Sequence, residues 1–193
     1  DMLDAINEAR ESICFETYIW AADEIGRAFK DALYAAADRG VQVYIVYDGF
    51  GVLNQNPLFK IFPRHPNLFH RRIPEIRSGL FTLNLRKTGR DHRKILVTDG
   101  KYGFVGGYNI GERFGIEWRD THVRITGPAV MELADGFAEF WNHFKRPWQP
   151  ALPDGGVKDW FPPISAEFNL PSRLLFPVRG LYLDAIDRAR DQI

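Results

Sequence analysis

The pattern of apolar and polar positions alternates between helical and strand-like segments along most of the chain. Residues 4–13 predict a helix, and Ile13 to Trp20 (ICFETYIW) predicts a buried strand rich in β-formers. Within that strand Glu16 is a lone carboxylate, so it must find a partner or face a cavity. Residues 23–39 place Ile25, Phe29 and Leu33 at i, i+4 and i+8, an amphipathic helix that ends before Gly40. Val41 to Tyr47 predicts a second strand. The αβαβ order favours parallel strands with crossover helices. Residues 49–66 read as loop or brief helix, 67–73 as a third strand, and 74–90 as a flap of no assignable class.

Two short strands follow, at 93–98 and 102–105, and the Asp99-Gly100 pair between them suits a tight hairpin turn. Residues 119–125 alternate like a strand. Residues 128–144 predict a helix with Val130, Leu133, Phe137 and Phe140-Trp141 on one face. Residues 146–180 hold seven of the 12 prolines and read as a linker crossing a surface.

The tail repeats the start. Leu183-Asp-Ala-Ile186 matches Leu3-Asp-Ala-Ile6, Ala189-Arg190 matches Ala9-Arg10, and Ile193 matches Ile13. That makes seven identities in thirteen positions at an offset of 180. The expected organisation is a catalytic repeat at 1–145, a linker at 146–180, and the truncated start of a second repeat at 181–193. Chance likeness of two amphipathic helices is the competing reading. The chain opens on Asp1, not Met, and reads as part of a longer protein, so missing targeting signals carry no information.

Composition narrows the class. With 193 residues, 45% of them hydrophobic and no net charge, the chain reads as a soluble globular domain, not a disordered or fibrous one. No apolar run approaches the ~20 residues of a membrane span. The single cysteine, Cys14, excludes an internal disulfide and a multi-cysteine zinc site; it reads as a small buried side chain. Charge is uneven, however. Residues 57–94 carry ten basic against two acidic residues, a net +8, interleaved with Phe59, Phe62, Phe69 and Phe81. An anionic partner, either membrane surface or nucleic acid, is one reading, and a solvated face is the other.

The chemistry concentrates in Asp91-His-Arg-Lys-Ile-Leu-Val-Thr-Asp-Gly100, which has the spacing HxKx4D at His92, Lys94 and Asp99. On a strand, His92 and Lys94 would project to the same face. Imidazole and ammonium together suit a phosphate: one attacks phosphorus and the other holds charge on the oxygens. Seven residues after Asp99, the sequence Gly106-Gly107-Tyr108-Asn109 adds glycines that let backbone approach a ligand and an amide that can donate to a phosphoryl oxygen. His122 could stand near the pocket, two residues from Asp120, but reads more naturally as a strand histidine with local partners. His65, His70 and His143 read as surface residues. No spacing suggests zinc or calcium ligands, and the glycines at 103–111 lack the strand-turn-helix context of a dinucleotide loop.

The stretch HRKILVTDGKYGFVGGYNIG (92–111) resembles the HKD motif of the phospholipase D superfamily, and its GGxN form resembles bacterial cardiolipin synthases. FETYIW (15–20), AAADRGVQVYIVYDGFG (35–51) and WRDTHVRITGPAV (118–130) agree, so the resemblance covers roughly residues 1–145. It implies an α/β fold, a phospholipase D-like α-β-α sandwich with a mixed, largely parallel central sheet. It also implies a catalytic unit of two facing HKD motifs, from two repeats of one chain or two subunits of a homodimer. One histidine would form a phosphohistidine and the other would protonate and deprotonate the alcohols. Neither metal nor cofactor is implied.

Carried over by position, His92 is the nucleophile or the acid/base of its half, and Lys94 and Asn109 bind phosphoryl oxygens. Asp120 accepts Nδ1–H of the histidine, Asp99 closes the turn after the motif strand, and Gly106 and Gly107 line the pocket. The first expectation for function is a cardiolipin synthase-type phosphatidyltransferase acting on the anionic phospholipid phosphatidylglycerol. It would belong to a parent protein at the bacterial cytoplasmic membrane, with this part itself soluble. A phospholipase D or nuclease that uses water is the second, with nucleic acid ranked behind lipid as partner. A silent half that only binds phosphate groups and docks its partner repeat is the third.

Overall fold

A computed structural model describes residues 1–74, 90–153 and 177–190, with Glu167, Asn169 and Gln192. All but the ends of the predicted flap at 74–90, and most of the predicted linker, fall outside the described residues. The elements run α1 (Met2–Glu8), β1 (Ser12–Thr17), α2 (Glu24–Asp38), β2 (Gln42–Asp48), β3 (Leu68–Ile73), β4 (Ile95–Thr98), β5 (Tyr102–Gly106), α3 (Glu112–Ile116), β6 (His122–Thr126), α4 (Val130–Phe144) and α5 (Pro177–Arg188).

Among the described residues six strands form one sheet in the order β3-β2-β1-β4-β5-β6. β1 pairs in parallel with β2, and β2 with β3, but β1–β4, β4–β5 and β5–β6 are antiparallel. Parallel pairing is therefore confined to the β3-β2-β1 edge. The αβαβ order dictates that half through its crossovers; of the antiparallel pairs, β4–β5 is set by a hairpin turn, whereas β1–β4 is a long-range pairing and β5–β6 spans α3.

Burial explains why β1 and β2 read as nearly unbroken apolar runs: they are central strands covered on both faces. One face carries α1 and α2, whose Ile6, Phe29 and Leu33 pack with Ile13, Phe15 and Ile45. The other carries α4, whose Leu133, Phe137 and Trp141 pack with Cys14, Val46, Ile73 and Ile95. The result is an α-β-α sandwich. Each fully buried large side chain contributes about 1.5–3 kcal/mol, so the α4 face alone outweighs its weak N-terminal capping.

Helix α2 is delimited by its ends. Asp23 Oδ1 accepts from the Gly26 amide at 2.8 Å as N-cap, and Gly40, with φ of 94°, follows the C-terminus in the left-handed region. The Asp99-Gly100 turn forms as its sequence predicts: both residues take positive φ, 53° and 61°, and the Lys101 amide donates to the Thr98 carbonyl at 2.9 Å.

Residues 146–152 do not hang free. Trp141 Nε1 donates to the Pro150 carbonyl at 2.9 Å, and Asn142 and Leu152 exchange two hydrogen bonds of 2.9 Å. Helix α5 begins at Pro177, earlier than the 181 boundary read from the repeat, and its Leu181, Leu183 and Ile186 are exposed. In α1 the counterpart of Ile186, Ile6, is buried, and that of Leu183, Leu3, is half-buried.

Candidate active site

Three backbone segments converge at the C-terminal ends of β1 and β2. The ladder between β1 and β4 sets Glu16 opposite Ile95, so residues 92–94 lie beside the end of β1. Just past β1, the Ile110 amide donates to the Ile19 carbonyl at 3.0 Å, and the Ala21 amide donates to the Ile110 carbonyl at 2.8 Å. These bonds seat the 107–110 loop against residues 18–21.

His92 and Lys94 do not lie on a strand, contrary to expectation; β4 starts at Ile95. Their neighbours have other partners. The Asp91 amide donates to Asp48 Oδ2 at 3.1 Å, and Arg93 Nη2 stands 2.5 Å from Glu16 Oε1. Arg93 also donates to the Gly136 carbonyl at 3.2 Å, and its guanidinium lies 4.1 Å from the Phe140 ring centre. These anchors toward β2 and α4 hold the segment out of the sheet ladder. They still bring His92 and Lys94 together: Lys94 Nζ donates to the His92 carbonyl at 2.8 Å and lies 3.1 Å from His92 Nδ1.

Partial desolvation, then the Lys94 charge, lowers the pKa of His92 below its ordinary 6.5, although Asp91 and Asp48 pull the other way. The shift favours the neutral imidazole at pH 7. Lys94 is itself buried, and desolvation pushes its pKa down to about 8 against the opposing charges of Asp91 and Asp120. It remains mostly an ammonium at pH 7. An ammonium facing Nδ1 makes that nitrogen the acceptor, so the proton of the neutral ring sits on Nε2.

Asn109 is oriented by a bond 90 residues long in sequence. Its Oδ1 accepts from the Ile19 amide at 3.0 Å, which leaves the Nδ2 donors to face a ligand. Asp120 packs against Gly107: a Cβ on Gly107 would run into the Asp120 carboxylate. Asp120 Oδ1 accepts from the Thr121 amide at 2.8 Å, whereas His92 Nδ1 faces Lys94 and not Asp120 as expected. Gly106 also needs to be small, since a Cβ there would meet the Thr121 carbonyl and His122.

Asp99 stands apart, at the far end of β4 from His92. Its carboxylate accepts from the amides of Arg10, Glu11 and Ser12 at 2.9, 2.8 and 3.0 Å. It fixes the entry to β1 and does not reach the pocket. His122 stacks on Tyr108 at 5.5 Å and has two buried ring nitrogens without hydrogen-bond partners among the described residues. Tyr18, Asp48 and Asp91 escaped the sequence reading. The Tyr18 ring lies 4.7 Å from that of His92 and 5.3 Å from Lys94 Nζ.

Among the described residues no group of three or more His, Cys, Asp or Glu is arranged to hold a metal ion, and no helix is long and apolar enough to cross a membrane.

The family model described as cardiolipin synthase, PLD-like domain matches residues 2–148. The chain is 36% identical over 149 residues to the major cardiolipin synthase ClsA of Bacillus subtilis, covering 73% of this chain and 30% of that protein. It is 40% identical over 153 residues to a cardiolipin synthase of Staphylococcus aureus, covering 74% and 30%. The chain therefore spans about 30% of the length of these curated relatives. The solved phospholipase D family member Nuc of Salmonella typhimurium shares the fold with a TM-score of 0.54 at 23% identity, covering 74% of this chain and 83% of that one. The chain belongs to the family of cardiolipin synthase phospholipase D-like domains.

Proposed function

We propose that the chain supplies one half-site of a cardiolipin synthase-type phosphatidyltransferase that works through a phosphohistidine. The observation that carries this reading is the Lys94 ammonium held 3.1 Å from Nδ1 of His92, whose pKa is lowered by burial and by that charge, with Asn109 held on the neighbouring Ile19 amide. The relatives named cardiolipin synthase support the choice of substrate class.

In this reading the phosphate of phosphatidylglycerol sits between Lys94 Nζ and Asn109 Nδ2. Phosphoryl oxygens compete for the Lys94 protons and draw the ammonium away from His92 Nδ1. The ring proton then moves to Nδ1 and frees the Nε2 lone pair. Nε2 attacks phosphorus, an N–P bond forms, and the bond to the headgroup glycerol breaks. The leaving oxygen takes a proton from a second histidine. That histidine next takes the proton of a hydroxyl on another phosphatidylglycerol, whose oxygen displaces His92. Cardiolipin and glycerol leave, and both histidines return to their starting states.

The second histidine would come from another copy of the fold. The repeat of α1 in α5 favours a copy that opens with α5, because the residues that α1 buries are exposed there. The parent protein would act at a membrane. Incubation with phosphatidylglycerol and separation of the products tests the proposal. Cardiolipin with free glycerol supports transfer; phosphatidic acid with free glycerol replaces it by hydrolysis. A loss of wild-type activity on mixing with excess His92→Ala chains would place the second half-site in a second copy of this chain, since a mixed pair holds only one His92.

A further inference from the structure

The β3 edge of the sheet carries a cavity of about 610 Å3 that the phosphoryl-transfer geometry does not use. It lies between residues 62–70 and the turn after α4 at 146–149. β3 is three places from β4 in the strand order, roughly 14 Å at about 4.8 Å per strand.

The cavity has an apolar floor, formed in part by Phe62 and Phe69, and its lining contains no carboxylate. Arg64 and Arg146 line it, both exposed, and neither guanidinium has an ion-pair partner among the described residues. His65 is already taken by Asp38, 3.2 Å away. His70 reports the sign of the local field. Burial first, then Arg146, Lys30 and Arg71, pushes its pKa down to about 4, and its buried Nδ1 has no hydrogen-bond partner among the described residues. Two unpaired guanidiniums on a cavity whose lining has no carboxylate form a site that an anion would relieve.

The rim selects among anions. Trp148 is 74% exposed, with the Arg146 guanidinium 5.3 Å from its ring, and Ile61, next to Phe62, is 57% exposed. An indole beside an arginine and an exposed aliphatic side chain suit a membrane interface better than open water.

We propose that this cavity is a second anion-binding site that takes the phosphodiester headgroup of an anionic phospholipid and holds the protein on the bilayer independently of the His92 pocket. The proposal does not depend on the phosphatidyltransferase reading.

Co-sedimentation with phosphatidylcholine vesicles, with and without phosphatidylglycerol, tests it. A lysine or arginine close to an anionic surface contributes about fivefold in affinity, so the exposed pair Arg64→Ala/Arg146→Ala should lower phosphatidylglycerol-dependent binding roughly 25-fold. Lys101→Ala, in the β4–β5 turn, should change it less than twofold. Unchanged binding in the double variant, or an equal loss in Lys101→Ala, would overturn the site in favour of diffuse charge. Two further arms separate the sources of phosphate. Release of the protein from vesicles by millimolar inorganic phosphate at constant ionic strength would reassign the site to free phosphate. Retention on duplex DNA through the same two arginines, without vesicle binding, would overturn the lipid assignment.

Discussion

Arg93 Nη2 stands 2.5 Å from Glu16 Oε1, a buried ion pair that ties the residue between His92 and Lys94 to β1. Arg93 thereby acts as a positioning residue. Its bonds to Glu16 and the Gly136 carbonyl pull the chain toward α4, and the alternation of the extended backbone leaves its two neighbours together on the pocket side.

Breaking the pair exposes its cost. Arg93→Met leaves the Glu16 carboxylate buried without its cation and should destabilise the fold by about 3–5 kcal/mol. Urea denaturation measures this. The double variant Glu16→Leu/Arg93→Met should recover most of the loss, and recovery of activity should lag behind recovery of stability. Full recovery of both would reduce the pair to packing alone.

Glu16 also gives stability a pH slope. Burial raises its pKa well above the ordinary carboxylate value, with Asp91 adding and Arg93 opposing. A carboxyl whose folded pKa lies above its unfolded one contributes stability below the unfolded value, near 4.5. That contribution is lost as pH rises through the folded pKa. Glu16→Gln should flatten this decline, as read from denaturation midpoints between pH 4.5 and pH 8.

The pH dependence of turnover should be bell-shaped. His92 must be neutral to attack, and its lowered pKa places the acid limb below pH 6.5. Lys94 must be charged to hold the phosphoryl oxygens, so activity should fall above about pH 8. Lys94→Met removes one of the charges that depress His92, so its pKa should rise toward 6.5, and turnover should drop about 10²–10³-fold. Ring-proton NMR titration of His92 in both proteins gives the first shift and steady-state kinetics the second.

Gly107 and Asp120 should behave as one unit. A methyl at Gly107 displaces the Asp120 carboxylate, so Gly107→Ala and Asp120→Ala should damage activity by the same route. Their combination should cost little more than either alone, a coupling above about 1 kcal/mol in a double-mutant cycle. Strict additivity would mean that the glycine serves only backbone approach.

Asp99 separates structure from chemistry. Asp99→Ala removes the acceptor of three amides and should cost about 1–2 kcal/mol in stability, while Asp99→Asn, which tolerates positive φ, should cost less. Below the melting transition both variants should keep the wild-type KM and at least a tenth of its kcat. Loss of kcat with unchanged stability would return Asp99 to the pocket.

What the sequence revealed followed how local the determining forces were. Helix α2, strand β2 and the Asp99-Gly100 turn rest on periodicity, capping and turn chemistry within a few residues, and all three formed nearly where predicted. His92 and Lys94 were found by spacing, but their strand was placed too early. The contacts that keep them off β4, Glu16 with Arg93 and Asp48 with the Asp91 amide, join residues 77 and 43 apart. Glu16 already demanded a partner; nothing local named Arg93. Tyr18 and the Ile19 amide that orients Asn109 were equally silent, because they reach the pocket only through tertiary pairing. The antiparallel half of the sheet was underweighted for the same reason: the β1–β4 junction is a long-range pairing.

The account rests on a neutral His92 whose Nδ1 is held by Lys94 until a phosphate takes the lysine away. The side-chain 15N spectrum of His92 at pH 7, recorded during titration with inorganic phosphate, tests this most directly. The prediction is a neutral ring protonated on Nε2 that shifts toward the Nδ1-protonated form as phosphate is added, a response abolished in Lys94→Met. An imidazolium at pH 7, or a ring indifferent to phosphate, would contradict it.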